Sequence, residues 1–186
     1  FFKYFNIDPN SDYDETKEAN YSKTFILTND IDFQGKVIYS IGHGDQPFSG
    51  KFYGNGYTIS NFVINQNEKA HLGKVVEGAT EEEIKIANKA KESSFYGVGF
   101  FGVLSGEVYD LNLKAIKVTA KNFAGGLVGM LTTGKVENCK GFSLYVRASE
   151  YQYSAEDVKV GSMIGKNYTG TIICVYGNNL ISNTVG

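Results

Sequence analysis

Apolar residues recur along this chain with two periods at once. Over short distances they alternate with polar ones, as in Asp30-Ile31-Asp32-Phe33 and Tyr57-Thr58-Ile59-Ser60, which predicts half-buried strands with carboxylates and hydroxyls facing water. Over a longer distance a whole pattern returns. Gly99-Phe100-Phe101-Gly102 leads through a small loop to Gly106-Glu107-Val108-Tyr109-Asp110-Leu111, and Gly126-Leu127-Val128-Gly129 leads likewise to Gly134-Lys135-Val136-Glu137-Asn138-Cys139, a step of 126 − 99 = 27 residues. A fixed step of that size marks stacked units, each too small to bury its own apolar face and so obliged to lean on its neighbours.

Other stretches extend the pattern. Phe25-Ile26-Leu27 and Val37-Ile38-Tyr39 read as strands, and Gly54-Asn55-Gly56 supplies residues tolerant of positive φ for a tight turn before the alternating strand that follows. Laying Ile59-Ser60-Asn61-Phe62 over Val108-Tyr109-Asp110-Leu111, Val136-Glu137-Asn138-Cys139 and Ile172-Ile173-Cys174-Val175 gives a shared frame: apolar, variable, Asx-like, apolar. The frame predicts Ile59, Val108, Val136 and Ile172 one above another. Asn61, Asp110 and Asn138 then fall in one column at a turn, where stacked Asx side chains satisfy backbone groups, and Cys174 breaks that column.

Uneven spacing locates the insertions. Ile59 to Val108 is 108 − 59 = 49 residues, 22 beyond the unit step, and the surplus falls on Gln66 to Ser94, the stretch rich in Lys, Glu and Ala. Thr80-Glu81-Glu82-Glu83 resembles a capping box, with Ile84, Ala87, Ala90 and Lys91 at helical spacing after it, so a short helical insertion is expected there. Gly126 to Ser162 is 36 residues, nine over the step, and Arg147 to Asp157 is the expected bulging loop. The polar segment 1–23, with a turn at Asp8-Pro9-Asn10 and a short helix expected through Asn20, is placed to cap the open edge of the stack. Residues 24–186 form the stack itself, and its two insertions are the expected contact sites.

Composition narrows the class. The 186 residues suffice for one domain, and 14% aromatics, 22 glycines and two prolines favour strands and turns over helices. The net charge of −2, without a run of Lys and Arg, argues against a nucleic-acid partner. No run of about 18 apolar residues exists to span a membrane. The sequence opens Phe1-Phe2-Lys3 without methionine or signal peptide, so it is expected to be a monomeric module of a longer polypeptide.

Gly126-Leu127-Val128-Gly129 followed by Gly134-Lys135-Val136-Glu137-Asn138-Cys139 resembles the GLUG repeat of bacterial surface and secreted proteins. Leu27-Thr28-Asn29-Asp30-Ile31-Asp32-Phe33, then Ile41-Gly42 and Phe48 to Asn61, is similar to the lead-in that often precedes such repeats. The likeness covers Thr24 to Asn183. It departs at Phe100-Phe101, in place of Leu-Val, and at Ser162-Met163-Ile164-Gly165, which lacks the first glycine. The resemblance implies an all-β fold, a right-handed parallel β-helix (a β-solenoid) exposed on the cell surface or secreted, as in adhesin-like proteins and in the non-catalytic part of immunoglobulin A1 proteases. It implies no conserved chemistry for the repeat.

Candidate chemistry is sparse. His43 and His71 stand 28 apart without adjoining acids, which excludes a His-Glu-x-x-His zinc site in this segment. A glycosidase or lyase needs clustered carboxylates, for which Asp30, Asp32, Asp110 and Glu137 are available, although solvated strand-face or turn residues are much the plainer account, since acids distant in sequence converge only if the copies align. Asp8, Asn10, Asp12 and Asp14 alternate like the start of a calcium loop, but Tyr13 stands where the turn needs glycine and Ala19 where a bidentate acid belongs. Cys139 and Cys174 fall in adjoining copies in columns that differ by one, so the pleat sets them apart, and their pairing stays open. Gly97-x-Gly99-x-x-Gly102 matches a dinucleotide fingerprint by count alone, with no helix after it. Tyr145, Tyr151, Tyr153 and Tyr168 could form an aromatic contact patch, with ordinary packing as the plainer account. No catalytic residue, cofactor or metal ligand is assigned. The expected function is a non-catalytic extracellular module, a stalk or adhesive surface toward an extracellular protein or glycan; the alternatives are a polysaccharide-active enzyme and the accessory region of a secreted metalloprotease.

Overall fold

The computed structural model describes residues 3–11, 14–44, 46–65, 81, 97–120, 123–150 and 158–185. In chain order the strands are β1 (Thr24–Ile26), β2 (Ile31–Asp32), β3 (Lys51–Tyr53), β4 (Thr58–Ser60) and β5 (Val63–Asn65). After residue 97 come β6 (Phe101–Leu104), β7 (Glu107–Tyr109), β8 (Asn112–Ala120) and β9 (Phe123–Gly125). The next copy gives β10 (Val128–Leu131), β11 (Lys135–Glu137), β12 (Lys140–Glu150) and β13 (Lys159–Gly161), and the last gives β14 (Ile164–Asn167), β15 (Thr171–Ile173) and β16 (Tyr176–Val185).

Every strand pairing among the described residues is parallel. One sheet runs β1-β3-β7-β11-β15, a second β6-β10-β14, a third β2-β4-β8-β12-β16 with β5 also beside β8, and a fourth β9-β13. From β6 onward the chain visits these sheets in a fixed rotation, so each strand lies beside its own counterpart in the next copy. Parallel neighbours need a crossover between them, and here the rest of each copy is that crossover. The protein is therefore all-β with parallel sheets.

Register follows the repeat. Val128 pairs with Phe101, a step of 27, and Lys135 with Glu107, a step of 28. In the β1 sheet the inward row is Phe25, Phe52, Val108, Val136 and Ile172. The expected row is thus right in three members and wrong in one, for Ile59 stands in the β4 sheet beside Ile31 and Leu113. The reason is that the second copy holds two segments in which an apolar and a polar residue lead into a turn residue, Phe52-Tyr53-Gly54 and Ile59-Ser60-Asn61, and the frame chose the wrong one. Gly54 N–H donates to Tyr109 O, Asp110 N–H to Glu137 O and Asn138 N–H to Ile173 O, so a glycine occupies the Asx column in the second copy. Asn61 instead donates its N–H to Lys114 O, in a separate column with Ala115 and Ser143.

Apart from Gly54, both columns are left-handed. Asp110, Asn138 and Cys174 have φ of 52°, 51° and 50°, while Asn61, Ala115 and Ser143 have 56°, 52° and 54°. Asx side chains tolerate this conformation and alanine does not, at roughly 1–2 kcal/mol per residue. Exposed Ala115 is held there by its paired neighbours. Ala115→Gly should raise the urea unfolding free energy by about 1 kcal/mol, because glycine removes the Cβ clash; an unchanged or lower value would contradict the strain.

The interior is aromatic near the start and aliphatic further on. Phe48, Phe52, Phe62, Phe100 and Phe101 are fully buried and touch in a chain of tilted and edge-on rings, followed by Leu127, Val128, Leu131, Val136, Leu144 and Val146. Phe5, Ile7 and Tyr21 are also buried, so segment 3–23 contributes to this core. Its backbone joins the first copies: Tyr21 O accepts from the Ser49 and Gly50 N–H groups, and Ile7 O from Tyr39 N–H. The helix expected through Asn20 is a 3₁₀ turn, Glu15–Asn20, capped by the Asp14 side chain. Most of the first expected insertion lies outside the described residues, Glu81 alone being seen there in helical conformation. Arg147 to Glu150, placed in the second loop by spacing, belong to β12, and 151–157 lie outside the described residues.

Candidate functional site

The exposed face of the β1 sheet concentrates the polar side chains. Because Phe52, Val108 and Val136 point inward, the residues on either side of each must point out. One outer row is Lys51, Glu107, Lys135 and the other is Tyr53, Tyr109, Glu137. Lys51 Nζ lies 2.8 Å from Glu107 Oε2, and Lys135 is paired with Glu137. Tyr109 donates its hydroxyl to Glu107 at 2.9 Å, while its ring stacks on Tyr53 with centroids 5.2 Å apart and carries Lys135 Nζ at 5.4 Å.

Electrostatics match that geometry. The Lys51 ammonium, followed by the Tyr109 hydroxyl, holds the Glu107 carboxyl below its ordinary range, and the same bond raises Lys51. The hydrogen bond that Lys135 donates to the Glu137 carboxylate raises Lys135. A glycosidase acid must stay protonated near neutrality, which takes burial or a like charge beside it. Glu107 has the opposite environment. The face is a ladder of satisfied charges, not an acid–base pair.

Three of the four candidate carboxylates are bonded across the copies. Asp30 accepts the Thr58 N–H at 2.8 Å, Asp32 accepts from Gln34 N–H and the Asn61 amide, and Asp110 accepts from the Asn138 amide. The Gln34 N–H, then the Asn61 amide, lowers the Asp32 carboxyl. Glu137 pairs with Lys135, and its carbonyl accepts the Asp110 N–H. Partners of Asp30, Asp32 and Asp110 lie 28 or 29 residues away, the repeat step itself. Asn55 and Thr132 likewise reach carbonyls of Leu27 and Leu104, each 28 residues back. These polar ties between copies are the feature that reading each copy separately misses; comparing polar residues at the repeat step would have found them.

The remaining candidates resolve similarly. Asp8 accepts from Asn10 N–H and Asp14 from Thr16, both local turns that lower those carboxyls; Asp12 and Tyr13 lie outside the described residues. His43 Nε2 faces Glu18 at 3.4 Å, and His71 lies outside the described residues. Gly97-x-Gly99-x-x-Gly102 leads into strand β6. Tyr145 sits on β12 under Lys117, while Tyr168 meets Lys166 beyond β14; Tyr151 and Tyr153 lie outside the described residues.

Cys139 and Cys174 are both free, one buried and one exposed. Cys139 takes the column of Leu111 and Cys174 that of Asn138, as the single-residue offset required. Burial pushes the Cys139 thiol up to about 12. Alkylation at pH 8 should therefore label Cys174 in the folded protein and Cys139 only after unfolding, since the thiolate is the nucleophile. Equal rates in mass spectrometry would overturn that placement.

The fold and this face define an all-β protein of parallel sheets in which no catalytic centre is assembled among the described residues. No group of three or more His, Cys, Asp or Glu side chains among them could hold a metal ion, and no helix among them is long and apolar enough to cross a membrane. No family model, curated protein or solved structure matches the chain.

Proposed function

We propose that this protein is a β-solenoid of the GLUG-repeat kind, a non-catalytic extracellular module of a larger bacterial surface or secreted protein that serves as a stalk and adhesive surface. The observation that carries the reading is the rotation of the chain through its parallel sheets at a step of 27 or 28 residues. Stacked parallel units of that length make a body that grows by addition and presents long side faces. The GLUG name rests on Gly126-Leu127-Val128-Gly129 and its first-copy counterpart, and the extracellular setting rests on that resemblance.

The engaged carboxylates support a structural over a catalytic role. Segment 1–23 acts as the cap, its buried Phe5, Ile7 and Tyr21 covering the first copy. The insertions after Asn65 and Glu150 are contact sites for a partner. Deleting residues 66–94 or 151–157 should each weaken adhesion to mucin-coated or immunoglobulin-coated surfaces. Unchanged adhesion by both deletions would remove the insertions from the account.

A further inference from the structure

Two outer faces of this fold treat their lysines differently. On the β1 sheet Lys51 and Lys135 each have a glutamate partner. On the β8–β12–β16 sheet the exposed lysines are Lys114, Lys117 and Lys140, and no ion pair ties any of them to a carboxylate among the described residues.

Each of these lysines has an aromatic neighbour across the next strand. Lys114 is in register with Phe142, Lys117 with Tyr145 and Lys140 with Tyr176. Lys117 Nζ lies 5.5 Å from the Tyr145 centroid. Phe142 and Tyr176 are 41% and 54% exposed, large for rings with no role in the core, and their centroids are 6.3 Å apart. Arg147 stands one outward position beyond Tyr145 on the same strand. The nearest acid in these rows is Asp32, at the far end of the Lys114 row beyond Ser60, and it is engaged by Asn61.

We propose that this face binds an anionic polysaccharide. Strand spacing and rise put neighbouring lysines about 8 to 10 Å apart. That sparse array suits a polymer carrying a carboxylate or sulfate on every ring or two, with the exposed rings offering apolar surface to the C–H faces of the sugars. Duplex DNA carries one charge per roughly 1.7 Å, too dense for three lysines on a chain of net charge −2. The proposal rests on the reading of the module as an adhesive surface and names the partner class and the face.

Biolayer interferometry on immobilised polygalacturonate and heparin tests it. The wild-type protein should bind at least one of the two, more weakly as salt rises, and K114Q/K117Q/K140Q should bind about tenfold more weakly, as loss of three exposed ion pairs implies. K51Q/K135Q should bind like wild type, and F142A/Y176A should lose affinity for polymer while keeping the same unfolding midpoint. Absence of wild-type binding to both polymers, an unaffected lysine variant, or tighter binding to duplex DNA at equal salt would overturn the proposal. The insertion deletions report on the adhesive reading separately, since they leave these lysines in place.

Discussion

Phe101→Ala should destabilise the protein by about 4 kcal/mol, measured as the urea unfolding free energy. Phe101 is fully buried, and its ring meets those of Phe48 at 5.0 Å, Phe100 at 5.1 Å and Phe52 at 5.6 Å. Removing it opens a void between two adjoining copies, because Phe48 and Phe52 come from the copy before that of Phe101, and rings fixed by paired backbones can collapse only partly. Phe101→Leu should cost far less, as most of the volume remains. Ile172→Ala is the informative contrast. Ile172 occupies the inward row of the β1 sheet, yet it is 44% exposed on the last strand of that sheet, so its truncation should cost under about 1 kcal/mol. Equal costs at Phe101 and Ile172 would mean that the burial gradient along the stack is wrong.

That gradient bears on what could be read in the sequence. The repeat from Gly99 and Gly126 and the alternation were sufficient to reach strands in stacked units, because strand periodicity and the 27-residue step are properties of local order, whereas the parallel pairing of those units entered only with the family resemblance. Register was harder. Phe52-Tyr53-Gly54 and Ile59-Ser60-Asn61 both present an apolar residue two positions before a residue type suited to turns, and a single sequence cannot tell which of the two lies over Val108. A glycine hides the column that asparagine advertises. The extent of β12 was missed for a related reason: Arg147, Ser149 and Glu150 look like loop residues, but they pair with β16 and carry the strand onward. The candidate site was legible only as a list of acids. Their partners became visible once copies were aligned at the observed step, for Asn61 and Asn138 reach Asp32 and Asp110 across 29 and 28 residues. The lysine–aromatic rows were invisible for the same reason, since Lys114, Lys117, Lys140 and their rings are scattered in sequence and meet only through register.

The glycines of the repeated Gly-x-x-Gly pattern give the second large effect. A Cβ built on Gly129 would lie 2.1 Å from Val98 N, 2.5 Å from Gly97 C and 2.8 Å from Gly102 O, all backbone atoms of the preceding copy. No side-chain rotation relieves such contacts; the backbones of two paired copies must separate, and β10 loses its register on β6. Gly129→Ala should therefore cost about 3 kcal/mol or more in unfolding free energy. Gly56→Ala separates this cause from conformational strain. Gly56 has φ of 79° and nothing within 4 Å of its Cβ position, so its substitution should cost only about 1 kcal/mol, from the left-handed backbone alone. The two differ in sign of cause: one position forbids the atom, the other the torsion. If both substitutions cost the same, Gly129 does not face a neighbouring backbone, and the close parallel approach of successive copies, on which the interior rows and the lysine–aromatic face depend, is absent at that point of the stack.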